Sequence, residues 1–170
     1  YASMIDKHWN RLAASMAIYS VYRKEVWLIG DCQCWVDGQV HTVHKETDEV
    51  LSMMRANYIE ALLKTGTTLE NLRQNDLGRD FIMPMLKNQS KYQNATSEHP
   101  YNYTVIDGFK VNPIGIKVIP VQTDEVVLAS DGYPKLFASL EESEAYLAHV
   151  LKEDPLCYRI FQSTKGVQGN

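Results

Sequence analysis

The chain has 170 residues, 45% of them hydrophobic and 22% charged, with a net charge of −4. That length and balance suit a single globular domain over residues 1–170 with a sizeable core. The acidic balance gives no electrostatic reason to expect nucleic acid or an anionic membrane surface as partner, and no apolar run approaches the roughly 20 residues of a membrane span.

Tyr1 to Asn10 has no signal-peptide core, so a cytoplasmic chain is the expectation. Ser15 to Lys45 then reads as an antiparallel meander. Met16, Ile18 and their neighbours make one strand, Arg23-Lys24-Glu25 a polar turn, and Val26 to Ile29 a second strand that stops at Gly30-Asp31. Cys32 to Val36 runs into Asp37-Gly38, a strong signal for a two-residue turn, and Gln39 to Val43 leaves it as another strand. Cys32 and Cys34 point to one face of their strand, but neighbours at that spacing lie about 6.5 Å apart with parallel side chains, poor geometry for a disulfide. No second cysteine pair or histidine set completes a zinc site with His41, His44 or Cys157. All three cysteines read as reduced thiols in or near the core, which suits a reducing compartment.

The middle of the chain reads as helical. Thr47 is placed to cap a helix from Asp48 to about Lys64, with Val50, Leu51, Met54, Tyr58, Ala61 and Leu62 as its apolar face. Thr67-Thr68-Leu69-Glu70 has the capping-box pattern for a second, shorter helix. Gly78 is expected to interrupt it, with Arg79 to Leu86 adding another turn or two despite Pro84. Met53, Met54, Met83 and Met85 read as core filling. Asn88 to Asn102 has no period and reads as an irregular loop. Its three N-x-S/T sequons, at Asn88, Asn94 and Asn102, have no use in a cytoplasmic chain.

Strands are expected again at Tyr103 to Ile106, ahead of a turn at Asp107-Gly108, and at Ile116 to Val121, ahead of a turn at Gln122-Thr123-Asp124. Val126 to Ala129 reads as a strand buried on both faces that delivers Asp131 into a glycine turn. A carboxylate fixed at a strand end is a natural ligand for a hard cation, and Gly132 leaves room beside it for water or a phosphate oxygen. Ser139-Leu140-Glu141-Glu142 is a capping box opening a helix to about Lys152, which Asp154-Pro155 ends. Ser163-Thr164-Lys165-Gly166 lacks the glycine spacing of a phosphate loop.

Taken together, Gly30-Asp31, Ser130-Asp131-Gly132 and the order of elements around them, from about Ser15 onward, resemble the metal-dependent serine/threonine protein phosphatases of type 2C. The resemblance implies an α+β fold, an antiparallel α-β-β-α sandwich. It implies hydrolysis of phosphoserine or phosphothreonine in a phosphoprotein substrate, with Mg²⁺ or Mn²⁺ as cofactor. Asp31 and Asp131, with Gly132 beside them, would form the metal-binding positions; no catalytic side chain is assigned, and residues 88–102 would correspond to a variable flap. That family's Asp-Gly-His-Gly-Gly stretch and its late Asp-Asn pair have no counterpart here, and Tyr133-Pro134-Lys135 stands where a Trp-Asp pair often follows the glycine. The resemblance therefore implies a phosphatase-like domain lacking both ends, an enzyme if the parent chain supplies the missing ligands. The alternative is a non-catalytic phosphatase-fold binding or regulatory module. Lys135 is placed to form an ion pair with Asp131.

Overall fold

In the computed structural model, which describes residues 2–4, 7–123 and 125–166, Asp37 and Gly38 make the turn that their sequence favours. Their φ angles are +50° and +83°, and Val36 pairs with Gln39 directly across them. Two consecutive positive φ values are what a two-residue hairpin turn demands. Asp124, at the end of the expected Gln122-Thr123-Asp124 turn, lies outside the described residues.

The described residues form a mixed α+β chain that divides into two compact units. The first, residues 1–45 and 90–146, holds both sheets. One sheet is antiparallel in the order β1 (Met16–Ser20), β2 (Glu25–Ile29), β5 (Ile116–Pro120); the other runs β4 (Gln39–Thr42), β3 (Gln33–Val36), β6 (Val126–Ala129). Alternation along the strands sends Val26, Leu28 and Ile119 of one sheet into the same core as Cys34 and Val36 of the other, with Cys32 and Val121 beside them. The core of this unit thus lies between two sheets packed face to face.

β6 is not buried on both faces: it pairs with β3 alone at the edge of its sheet, and Leu128 is 40% exposed. Tyr103 to Ile106 is not a strand but contributes two isolated bridges, Ala14 with Ile106 and Gln93 with Tyr103. The Asn94 side chain takes both backbone groups of Val105, its Nδ2 donating to the carbonyl at 2.9 Å and its Oδ1 accepting from the N–H at 3.1 Å, so no strand can. The segment expected to be irregular is correspondingly organised. A helix extends to Gln89 and a 3-10 turn covers Ser90–Tyr92. Beyond it Tyr92 stacks on His99 at 4.7 Å and meets Tyr101 edge-on at 5.7 Å.

The second unit, residues 46–89 and 147–170, holds α1 (Glu46–Lys64), α2 (Leu69–Gln74) and α3 (Leu77–Gln89). The helix α4 (Leu140–Glu153) begins in the first unit and ends in the second. Its N-terminus is the expected capping box, with Ser139 Oγ accepting the N–H of Glu142 at 3.2 Å. α1 starts at Glu46, which leaves Thr47 inside its first turn instead of at the cap. For α2 the cap is Thr68, one residue later than expected, its hydroxyl accepting from the N–H of Asn71. Gly78 does not interrupt a helix; it lies within α3 where that helix meets α1, and a Cβ there would stand 2.8 Å from Ile59 Cγ1.

The buried face of α1 also differs from its apolar pattern. Leu51, Ala56 and Ile59 are buried, but the side chain between them is Arg55, fully buried, while Ala61 is exposed. Met54, Met83 and Met85 pack against Leu51, Ile82 and Leu86, whereas Met53 is half exposed on the other face. Arg55 pairs with Asp76 at 2.8 Å and donates to the carbonyls of Leu156, Cys157 and Ser163. Asp154, also buried, accepts the N–H groups of Tyr158, Arg159, Ile160 and Phe161. Two side chains thereby satisfy the backbone of a segment without regular structure. No described helix is long and apolar enough to cross a membrane.

Candidate metal site at a sheet end

Asp31 and Asp131 leave their strands at the same end of the second sheet. The last register pair of β3 and β6 there is Gln33 with Ala129, and beyond it Asp31 lies in a bend and Asp131 in a turn. The intervening residue reports both charges. Burial pushes the Cys32 thiol above its ordinary range, and the carboxylates of Asp31 and Asp131 push it further.

Each carboxylate is positioned by a neighbour. Ser15 Oγ donates to Asp31 Oδ1 at 2.5 Å, and the approach depends on Gly30. Its φ is +76°, and a Cβ there would lie 2.3 Å from Ser15 Oγ. Ser15 is held in turn by the chain before it, where Ala14 exchanges both backbone hydrogen bonds with Ile106. On the other side Gln33 Nε2 donates to the carbonyls of Ser130 and Tyr133, at 3.3 and 2.7 Å, and so closes the turn that carries Asp131. Gly132 is not required by backbone strain, since its φ is not positive, and an added Cβ would meet only Ser130 Oγ at 3.2 Å. Its N–H donates to that hydroxyl at 3.3 Å. Asp131 and Gly132 are exposed, while Asp31 is half-buried.

Lys135 does not pair with Asp131. Its ammonium lies over the rings of Phe137 and Tyr146, at 4.9 and 5.9 Å from their centroids, and an ammonium is attracted to an aromatic face. Tyr133 turns to Glu144, to which its phenol donates.

The donor set fits a hard cation: two carboxylates at one sheet end, one of them open to water. No third His, Cys, Asp or Glu sets a ligand atom together with both of them among the described residues. A cation held by such a pair would keep most of its waters. Asp107 takes no part. Its side chain is fully buried against Arg11 at 2.8 Å, and it accepts further from Gln93 at 2.7 Å and from the Phe109 N–H at 3.1 Å. The Arg11 guanidinium carbon lies over the Phe109 ring, 3.9 Å from its centroid. The turn role expected for Asp107 is met by the Phe109 bond, and the ion pair is added to it.

Cys34 is buried and its thiol is pushed up to about 11, chiefly by burial and against the pull of Lys117. Cys32, Cys34 and Cys157 are all unbridged and buried. Farther from the sheet end, Thr96, Glu98 and His99 line a half-open cavity of about 300 Å³ together with Asn112 and Ile114. Ser15 and Gln33 are the positioning residues that the sequence reading missed; the only available signal was a polar side chain on each flank of a strand-end aspartate. No family model, curated protein or solved structure matches the chain.

Proposed function

We propose that the chain is a phosphatase-like domain of the type 2C kind, with that family's α-β-β-α sandwich, serving metal-dependent hydrolysis of phosphoserine or phosphothreonine in proteins. The observation that supports this reading is that Asp31 and Asp131 lie just beyond the last register pair at one sheet end, where both carboxylates act on the Cys32 thiol. Those two side chains would hold Mg²⁺ or Mn²⁺, with water filling the remaining positions beside Gly132. When bound, the cation supplies Lewis acidity toward water and charge neutralisation toward a phosphoryl group.

The chain's own residues set the geometry. Ser15 fixes the orientation of Asp31, Gln33 fixes the turn that presents Asp131, and the exposure of that turn lets a phosphorylated side chain approach. Two carboxylates are too few for a two-cation centre, so turnover requires ligands from outside these residues. That shortage also favours a second reading, a phosphatase-fold binding or regulatory module without catalysis.

Calorimetry with Mn²⁺ tests the site. The chain is expected to bind Mn²⁺ more weakly than micromolar, and both Asp31→Ala and Asp131→Ala are expected to abolish the heat signal. Micromolar or tighter binding that survives Asp131→Ala would place the cation elsewhere and end the reading. By the same ligand shortage, these residues alone are expected to hydrolyse an aryl phosphate no faster than Mn²⁺ in buffer.

A further inference from the structure

The half-open cavity of about 300 Å³ lies wholly within the first unit, and side-chain amides fix its walls. Asn112 Nδ2 donates to the Ala95 carbonyl at 3.2 Å, while its Oδ1 accepts the Ile114 N–H at 3.1 Å, so the two sides of the cavity are tied together. Gly115 is set so close to Thr104 that a Cβ there would collide with Thr104 Oγ1. Both residues belong to the lining. The cavity is thus built by specific contacts of an otherwise irregular stretch.

The polar groups of the lining are of both kinds. Asn102 donates through Nδ2 to the Ser97 carbonyl, whereas its Oδ1 is buried with no hydrogen-bond partner. The amide atom that faces a carbonyl has to be the nitrogen, so the orphan atom is an acceptor. Leaving a buried acceptor unpaired is costly, and a donor brought by a ligand removes that cost. Glu98 adds an exposed carboxylate. His99 adds a donor, because its Nδ1 accepts the Tyr101 N–H at 3.2 Å and the ring hydrogen is left on Nε2. Charges of both signs stand at the wall: Glu98 in the lining, and Lys45 against the ring of Tyr103, its ammonium 4.4 Å from the centroid. An ammonium ligand only donates and would meet Lys45; a carboxylate ligand only accepts and would meet Glu98. Hydroxyl groups donate, accept and carry no charge. Ile114, 90% exposed, and the Tyr103 ring supply apolar surface for the carbon skeleton between them. At about 300 Å³ the cavity stands at the small end of ligand sites and suits a single sugar ring. We propose that it binds an uncharged, polyhydroxylated ligand of monosaccharide size, with Asn102 Oδ1 and Glu98 accepting from its hydroxyls and His99 Nε2 donating to one. The cavity shares no residue with the candidate cation site, so the two readings stand or fall separately.

Titration of the isotope-labelled chain with D-glucose, D-galactose and D-mannose to tens of millimolar, followed by NMR, tests it, with n-butylammonium and acetate as charged comparisons. At least one sugar is expected to give saturable shifts of the Thr96, Glu98, His99, Asn102 and Ile114 amides. Glu98→Ala, at an exposed position, should weaken that sugar by about tenfold. Asn102→Leu should abolish its shifts while amides outside residues 95–115 keep their positions. Any of three results overturns the proposal: no shift at these amides with any of the sugars, unchanged sugar binding in Glu98→Ala, or tighter binding of n-butylammonium or acetate than of the sugars at the same amides. The last would mean that charge governs the cavity.

Discussion

At the scale of single residues, Asp107 shows how a buried charge is kept. Burial alone pushes its carboxyl up, yet the Arg11 guanidinium, the Gln93 amide and the Phe109 N–H together outweigh burial and hold it below the ordinary carboxylate value. A depressed folded value means that the native state binds fewer protons than the unfolded one as pH falls through about 4, so stability drops there. The contribution is present in full above the unfolded value and is lost as pH falls through the folded one. Urea titrations between about pH 6 and 3 are expected to show wild type losing stability faster than Asp107→Asn, so that the gap between them narrows on acidification. A constant gap would mean that the ion pair contributes nothing specific to the charged form. None of this was legible in the sequence, where Asp107-Gly108 signals only a turn. Arg11 stands 96 positions away in the chain and Ser15 stands 16 from Asp31, distances over which local pattern carries no information.

At the scale of elements, α1 is organised around the residue its pattern assigns to solvent. Arg55 is fully buried, paired with Asp76 and bonded to three carbonyls of the segment after α4. Removing its charge leaves three carbonyl acceptors without their donor and takes the partner from Asp76, whose carboxylate is a quarter exposed; breaking a buried pair from one side costs about 3–5 kcal/mol. Arg55→Met, which keeps the apolar stem, is therefore expected to lower unfolding free energy in urea by about that amount. A loss below about 1 kcal/mol would show that water satisfies the stranded groups. The elements legible from sequence are those fixed by local chemistry: the Asp37-Gly38 turn needs two positive φ values, and the Ser139 box satisfies a helix's own N–H groups. What was not legible depends on distant partners. A charged residue is read as exposed because it is rarely buried without a mate, and the mates of Arg55 include carbonyls more than 100 positions away. Gly78 likewise signals a break by propensity, but serves the contact with Ile59.

At the scale of the molecule, the α+β class with two antiparallel three-stranded sheets follows from strands that alternate and helices that cap. The burial of β6 does not follow, because an apolar run of four residues looks the same whether its second edge is paired or open. The central proposal concerns that sheet end: that Asp31 and Asp131, both close enough to act on Cys32, are ligands of one hard cation. Paramagnetic broadening by Mn²⁺ tests it most directly, because the effect falls steeply with distance and maps onto individual amides. In the 170-residue chain, the signals of Cys32, Gln33, Ser130 and Gly132 should broaden first as Mn²⁺ is added, and Asp131→Asn should abolish the effect. Broadening that begins elsewhere while these signals stay sharp, or that persists unchanged in Asp131→Asn, would contradict the site.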